Sequence, residues 1–323
     1  MPKKISKKAS ILKILLRHHA MLSDPLRTPL LLKAVSRTVR PGDVVLDLGC
    51  GTGILSFAAA KAGAKKVYAC DIDDAIHFAR AEAKKLGFDD RIRFHRTLSF
   101  DLNILHKPVD VIIAETVGGL GFDENIVPSV YDARKRFLKN NGKIIPHRLK
   151  VFLAPVDQIP PVITPSLNPS PLPSTSLRTG GGEGKGRGGH LRGGWGDLTP
   201  LIFTKIKPSD LLAFPKIYRE VNFHTVQAFG FDHELKFCSK KDGTLRGFAG
   251  WFEVEWAHKL VTNTAPNRPL THWKQALLPI SQPVRIKKGD LIFFRLRIYP
   301  KGGLYSTTSA IEWGYFVTKQ NSP

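Results

Sequence analysis

A short apolar run, Val44 to Leu48, passes through Asp47 and straight into Gly49-Cys50-Gly51-Thr52-Gly53. The run reads as a buried strand, and the glycines allow a tight turn that a larger residue would obstruct. An alanine-rich helix follows from Ile54 to Ala62, with Gly63 placed to end it. A strand–glycine turn–helix unit needs more of its kind to cover both faces of the strand, and the next hundred residues supply them. Lys66 to Cys70 reads as a strand, Asp73 to Leu86 as a helix ending at Gly87, and Ile92 to Phe94 as a third strand. Val109 to Ala114 is a β-branched fourth strand, Glu124 to Leu138 is mostly helical around Pro128, and Lys143 to Ile145 leads into Pro146. Strands alternating with helices imply a mostly parallel sheet covered on both faces.

The texture changes after Pro146. Leu149–Val156, Glu220–Val226, Glu234–Lys240, Gly247–Trp256, Trp273–Ile280, Leu291–Tyr299 and Glu312–Thr318 all read as strands, with no convincing helices between most of them. An antiparallel barrel or sandwich is the expectation. At 323 residues a chain usually divides into two cores. The expected division is a helical segment over 1–40, an α/β domain over 41–146 and a β-barrel domain over 147–323. Inside the last lies 159–196, which holds 10 of the 28 glycines and 6 of the 23 prolines. Such a composition buries too little apolar surface to offset its ordering entropy, so a disordered insertion is expected. Its Arg187-Gly188-Gly189 and Arg192-Gly193-Gly194 fit a tolerated linker or a basic tether for RNA or a partner.

The formal net charge is +22, shared as +12 in residues 1–150 and +10 in the rest. Spread positive charge points to nucleic acid, ribosomes or acidic surfaces as neighbours. A hydrophobic fraction of 42% excludes a disordered polyelectrolyte. No run of 18 apolar residues is present, so no membrane partner is expected. Cys50, Cys70 and Cys238 form no CxxC pair and are too few for a disulfide framework or a zinc cage, which fits a reducing, cytoplasmic setting without a metal site. The N-terminus is basic, and Lys13 interrupts its short apolar stretch Ile11 to Leu16 with no small-residue cleavage site after it. An amphipathic helix is expected there rather than a signal peptide.

The glycine turn has the spacing G-x-G-x-G, with Ile54 where a dinucleotide fingerprint needs its last glycine. Asp71 stands 20 residues beyond Gly51, at the end of the second strand. A carboxylate there can accept from both ribose hydroxyls of a nucleoside, so Asp47, the glycines and Asp71 read together as a nucleoside site. Two further carboxylates, Glu115 and Glu124, follow the fourth strand nine residues apart. That is two and a half helical turns, so a straight helix would point them apart. Gly118, Gly119 and Gly121 let the chain fold back, and a planar guanidinium with five donors suits the space between two such acids. From spacing alone they could equally be ordinary charges, one at a strand end and one near a helix start.

The turn from Val45 to Gly53 together with Asp71 resembles the class I S-adenosylmethionine-dependent methyltransferases, over about residues 40–146. Glu115-Thr116-Val117-Gly118-Gly119 through Glu124 resembles the double-glutamate loop of the protein arginine methyltransferases. Thr271-His272-Trp273-Lys274-Gln275 is similar to that family's Thr-His-Trp loop, and Met21 to Thr28 to its segment before the cofactor domain. The resemblance runs from about residue 18 to the C-terminus, the insertion excepted. It implies a Rossmann-like sheet followed by an antiparallel β-barrel, with S-adenosylmethionine as cofactor. It also implies methyl transfer to a guanidino nitrogen of arginine in a protein substrate. Gly49, Gly51 and Gly53 would line the methionine part, Asp71 would bind the ribose, and Asp101 approximates the acid beside adenine. Arg27 would pair with the methionyl carboxylate, Met21 would shape the acceptor pocket, and Glu115 and Glu124 would grip the guanidinium. His272 would meet Asp24 and position a proton acceptor.

The chain departs from the family in places. Ile11 to Arg17 holds no tyrosine, and Thr116, Val117 and Gly119 are small where the family carries bulky residues. The insertion stands where a dimerisation arm usually lies, so homodimer formation is left open. Two other readings stand beside the first: a methyltransferase for another nitrogen, of lysine or an RNA base, and a non-catalytic RNA- or ribosome-binding protein that keeps the fold. The charge suits a substrate presented on a ribosome or an RNA-associated protein.

Overall fold

A computed structural model describes residues 16, 18–103, 108–158, 201–227, 229–303, 306 and 309–319. The Pro/Gly-rich segment 159–196, with Arg187 and Arg192, lies outside the described residues, as does most of the stretch Ile11 to Arg17.

Five strands form a wholly parallel sheet: β1 Val44–Leu48, β2 Lys66–Asp71, β3 Ile92–Arg96, β4 Val109–Ala114 and β5 Leu138–Ile145, in the order β3-β2-β1-β4-β5. Helices Arg27–Thr38, Ile54–Lys61, Ala75–Lys85 and Ile126–Phe137 accompany it. The chain reverses direction across the sheet between β1 and β4, where the crevice beyond the strand ends is the usual ligand position. Register decides what reaches that crevice. Leu48 pairs with Cys70 on one side and with Ala114 on the other. Asp71 and Glu115 therefore follow at the same edge, flanking the glycine turn.

The helix expected from Glu124 begins at Ile126, because Asn125 adopts φ 55°, a left-handed conformation outside a helix. Pro128 falls in its first turn, where a missing N–H costs least. The short strand expected at Lys143–Ile145 is the end of the longer β5.

The remaining strands are antiparallel: β6 Arg148–Val156, β7 Ile202–Thr204, β8 Lys216–Asn222, β9 Phe231–Cys238, β10 Gly243–Ala257, β11 Leu260–Asn263, β12 Gln275–Ile286, β13 Leu291–Pro300 and β14 Ser309–Thr318. They make one sheet in the order β7-β12-β10-β6-β8, with β11 on β10, and a second in the order β14-β13-β9. Phe248 of β10 stacks on Phe294 of β13 at 3.8 Å between ring centroids, which joins the two sheets through buried aromatic surface. The strand expected at Glu220–Val226 lies earlier, because the Asn222 side chain accepts from the His224 N–H at 2.9 Å and turns the chain there. β7 and β11, three and four residues long, carry too little periodicity to be read beforehand.

Buried residues of the parallel sheet and of both antiparallel sheets form one continuous apolar cluster. Arg134, on the helix Ile126–Phe137, ties the halves further by donating to the Phe223 and Val226 carbonyls, each at 2.6 Å. Among the described residues no helix is long and apolar enough to cross a membrane.

Candidate functional site

A cavity of about 510 Å³ opens at the carboxyl ends of β1, β2 and β4. Gly49, Gly51 and Gly53 adopt φ of 68°, 50° and 83°, so the turn requires glycine at all three positions. Gly49 and Gly51 line the cavity, whereas Gly53 caps the helix Ile54–Lys61. A Cβ on Gly51 would stand 2.8 Å from the His18 ring, which also lines the cavity. Asp71 is fixed by the Gly51 N–H at 2.7 Å and the Asp73 N–H at 2.8 Å. Each carboxylate oxygen keeps a lone pair for a further donor.

Asp47 lies almost fully buried beneath the turn and accepts from the Ser56 hydroxyl at 2.5 Å. Burial pushes its carboxyl up to about 7; the Ser56 hydrogen bond opposes the shift, and the charges of Asp71 and Glu115 add to it. Asp101 is exposed and absent from the lining, where Ser99 and Phe100 stand instead.

The acceptor side is built by a glycine hairpin. Gly118 bridges Gly121, the Gly121 N–H donates to the Gly118 carbonyl at 2.9 Å, and Asp123 accepts from the Leu120 N–H at 2.9 Å. The reversal brings Glu115 and Glu124 to one cavity. Burial pushes Glu115 up to about 7, against the charge and hydrogen bond of Arg27 and with the charge of Glu124. Asp123 is likewise pushed up to about 7, by burial and then by Glu124, against backbone hydrogen bonds.

Arg27 pairs directly with Glu115. Its guanidinium also donates to the Met21 carbonyl at 3.3 Å and lies 5.7 Å from the centre of the Trp273 ring. Its Nε is buried and has no hydrogen-bond partner. Arg27 and Met21 both line the cavity. Trp273 is buried and donates from Nε1 to the Val117 carbonyl at 2.6 Å, tying the glycine hairpin to the antiparallel sheet.

Asp24 and His272 meet, but neither lines the cavity. One Asp24 oxygen accepts the N–H groups of Leu26 and Arg27 at 2.9 and 3.0 Å. The other accepts the His272 N–H at 2.8 Å and lies 3.1 Å from its Nδ1. Burial pulls Asp24 upward, yet these hydrogen bonds outweigh it and hold the carboxyl below its ordinary value. Burial lowers His272, which stays neutral at neutral pH. With Asp24 ionised, Nδ1 carries the imidazole proton and Nε2 the lone pair.

Asp47, Asp71, Glu115 and Glu124 thus line one cavity in a chain of net charge +22. An acid-rich hollow with glycines that admit close approach, in the size range of small-molecule sites, fits a cationic nucleoside such as the expected sulfonium cofactor. Sequence reasoning missed His18 and Asp123, and named Thr116, which lines the cavity, only as a small residue of the loop. His18 stands three residues before Met21 on helical backbone, a spacing that puts both on one face. Asp123 had as its only signal a second acid beside Glu124.

The three raised acids predict a pH dependence. Asp47, Glu115 and Asp123 bind a proton more tightly in the folded chain than in the unfolded one. Stability therefore falls as pH rises from the ordinary carboxylate range to about 7. His95, His224 and His272, which burial lowers, act in the opposite sense, an effect about half spent at about pH 6.5 and fading above it. Between about pH 6.5 and about pH 8 the acids outweigh the fading histidine contribution, so the unfolding midpoint of the ligand-free protein should fall with rising pH. A flat or rising midpoint over that interval contradicts their burial.

Residues 27–146 match the family model for ribosomal protein L11 methyltransferase, and residues 198–313 match that for the arginine methyltransferase oligomerization subdomain. Protein arginine N-methyltransferase 2 of Xenopus tropicalis is 31% identical over 294 residues, covering 87% of this chain and 65% of that protein. A ribosomal protein arginine N-methyltransferase of Schizosaccharomyces pombe is 30% identical over 291 residues, covering 85% of this chain and 51% of that protein. The chain thus spans between half and two thirds of these two relatives' lengths. The fold is similar to that of a chain of the protein arginine methyltransferase 1 enzyme–prozyme heterotetrameric complex of Trypanosoma brucei, solved with S-adenosylhomocysteine. The TM-score is 0.71 at 22% identity, covering 95% of this chain and 94% of that one.

Proposed function

Because the chain belongs to the protein arginine methyltransferase family, we propose that it transfers a methyl group from S-adenosylmethionine to a guanidino nitrogen of arginine in a protein substrate. The observation that carries the reading is the Arg27–Glu115 pair. Glu115, largely enclosed just after β4, already holds a guanidinium, and that group is a chemical stand-in for the acceptor.

Bound S-adenosylmethionine supplies an electrophilic methyl group on its sulfonium. The chain's residues supply the rest. Gly49 and Gly51 would admit the methionine part, Asp71 would take the ribose hydroxyls, and Arg27 would hold the methionyl carboxylate. Asp101, exposed beside the cavity, takes at most an outer place near the adenine. The difficulty lies with the nucleophile, since a guanidinium has a pKa above about 12 and delocalised lone pairs. Glu115 and Glu124 would draw its positive charge away from one terminal nitrogen and hold that nitrogen in place for attack. Met21 bounds the space. The proton released after transfer passes toward the Asp24–His272 pair, whose neutral imidazole can accept it at Nε2.

The substrate class follows from charge. A basic enzyme does not attract basic arginine-rich chains over long range, so the four cavity carboxylates supply local complementarity. A ribosome- or RNA-associated cytoplasmic protein fits the +22 field, as does the name of the Schizosaccharomyces pombe relative. The oligomerization-subdomain match favours an oligomer.

Incubation with methyl-labelled S-adenosylmethionine and a basic protein extract, followed by hydrolysis, should yield labelled methylarginine. Labelled methyl-lysine or a methylated base supports the other enzymes, and no label at all removes methyl transfer. A Gly51→Ala variant should bind S-adenosylhomocysteine at least about tenfold more weakly by calorimetry, a loss of about 1.4 kcal/mol. Its Cβ would press on His18 in a left-handed turn. Unchanged affinity would place the cofactor elsewhere.

A further inference from the structure

Gly119 stands in the hairpin between Glu115 and Glu124, and no left-handed backbone requires glycine there. Its missing side chain has another cause. A Cβ at Gly119 would lie 2.2 and 2.4 Å from Cε1 and Cδ1 of Phe203, so the Phe203 ring fills the volume a side chain at 119 would take. Phe203 belongs to β7, 84 residues further along the chain, and pairs with Ala276 of β12. β12 begins two residues after Trp273, whose indole holds the same hairpin through Val117. Two independent contacts from one edge of the antiparallel sheet thus close on the carboxylate loop. One is polar, from Trp273, and the other is apolar, from Phe203.

The ring is not consumed by this packing. Phe203 remains 42% exposed, with one part against Gly119 and the remainder open beside the hairpin. A lone exposed aromatic is ordinary on a protein surface. One seated against Gly119 is a fixed apolar surface on the hairpin whose two ends carry the cavity carboxylates Glu115 and Glu124; the ring itself lies outside the residues that line the cavity. A guanidinium carried on three methylenes needs both kinds of surface: acids for its head and an apolar face for its stem.

We propose that Phe203 is the aromatic wall of the acceptor channel, packing on the methylene stem of the acceptor arginine and so setting affinity for the substrate. This rests on the arginine reading above. Phe203 replaces, from a distant strand, the bulk that Gly119 lacks, so the wall can be moved from strand β7 to the hairpin turn without loss.

Three variants test this: Phe203→Ala, Gly119→Phe and the two combined. With an Arg-Gly-Gly peptide, Phe203→Ala should raise KM about tenfold while kcat and S-adenosylhomocysteine affinity stay near wild type. Gly119→Phe alone forces two rings into one space and should lower the unfolding midpoint by about 5 °C. The double variant restores one ring to that space, so both the midpoint and KM should return toward wild type. An unchanged KM in Phe203→Ala, in a wild-type protein that methylates the peptide, overturns the proposal while leaving the arginine reading intact. A double variant no more stable than Gly119→Phe overturns the shared volume on which it rests, whatever the activity. A wild-type protein that transfers no methyl to arginine removes the arginine reading and the proposal together.

Discussion

Glu115→Gln is expected to lower methyl transfer by on the order of 10³-fold while leaving S-adenosylhomocysteine affinity within about threefold. The substitution keeps the shape of the side chain and removes its charge. Glu115 is the more enclosed member of the pair, positioned by the β1–β4 register rather than by a flexible loop. Its carboxyl is pushed up to about 7, so a neutral form is already close in energy and the site tolerates the amide. An amide cannot localise positive charge on the far side of a guanidinium, which is the whole contribution required of it. Arg27 loses its carboxylate partner in this variant but stays held by the Met21 carbonyl and the Trp273 face. Binding and turnover therefore separate. Steady-state turnover beside calorimetric titration measures both, and normal turnover in the variant would remove Glu115 from the chemistry.

Trp273→Ala should cost about 3–5 kcal/mol in urea unfolding, the range for removing a buried large aromatic side chain. Trp273 stacks at 6.3 Å on Trp256, meets Phe252 edge-on at 5.2 Å and lies 4.1 Å from the His272 ring. The same side chain holds the Val117 carbonyl at 2.6 Å. Its loss opens a cavity and also frees the hairpin that carries Glu115 and Glu124, so turnover should fall along with stability. Trp273→Phe separates the two roles. It keeps most of the apolar contact and strands the Val117 carbonyl, for a cost of about 1–3 kcal/mol. A cost below about 1 kcal/mol for Trp273→Ala would show that the hairpin does not depend on this contact.

The parts of the site that lie close along the chain were legible in the sequence. The run into Gly49, Gly51 and Gly53 announces a strand-to-helix turn because three left-handed residues in five positions leave few alternatives. Asp71 was legible for a related reason, since parallel pairing of β1 with β2 places it beside the turn. The glycines between Glu115 and Glu124 pointed to a reversal, and the bridge from Gly118 to Gly121 makes one. Contacts formed across long separations were not legible from spacing. The Asp24–His272 pair spans 248 residues, and only the family resemblance suggested it. That Arg27 and Glu115, 88 residues apart, bind each other was not anticipated, because each had a role toward a different ligand. Phe203 was invisible, since a three-residue strand has no period to read and its contact is with a side chain that is absent. Asp101 marks the limit of position-by-position transfer. The turn after β3 puts Ser99 and Phe100 on the cavity and leaves Asp101 exposed.

The central claim is that this cavity methylates a guanidinium held by Glu115 and Glu124. Two synthetic peptides that differ only by arginine or lysine before Gly-Gly test it most directly, each incubated with S-adenosylmethionine and read by mass spectrometry. Added methyl is expected on the arginine peptide, none on the lysine peptide, and near-complete loss of the first signal with Glu115→Gln. Methylation of the lysine peptide, or equal methylation of the arginine peptide by wild type and variant, would contradict it.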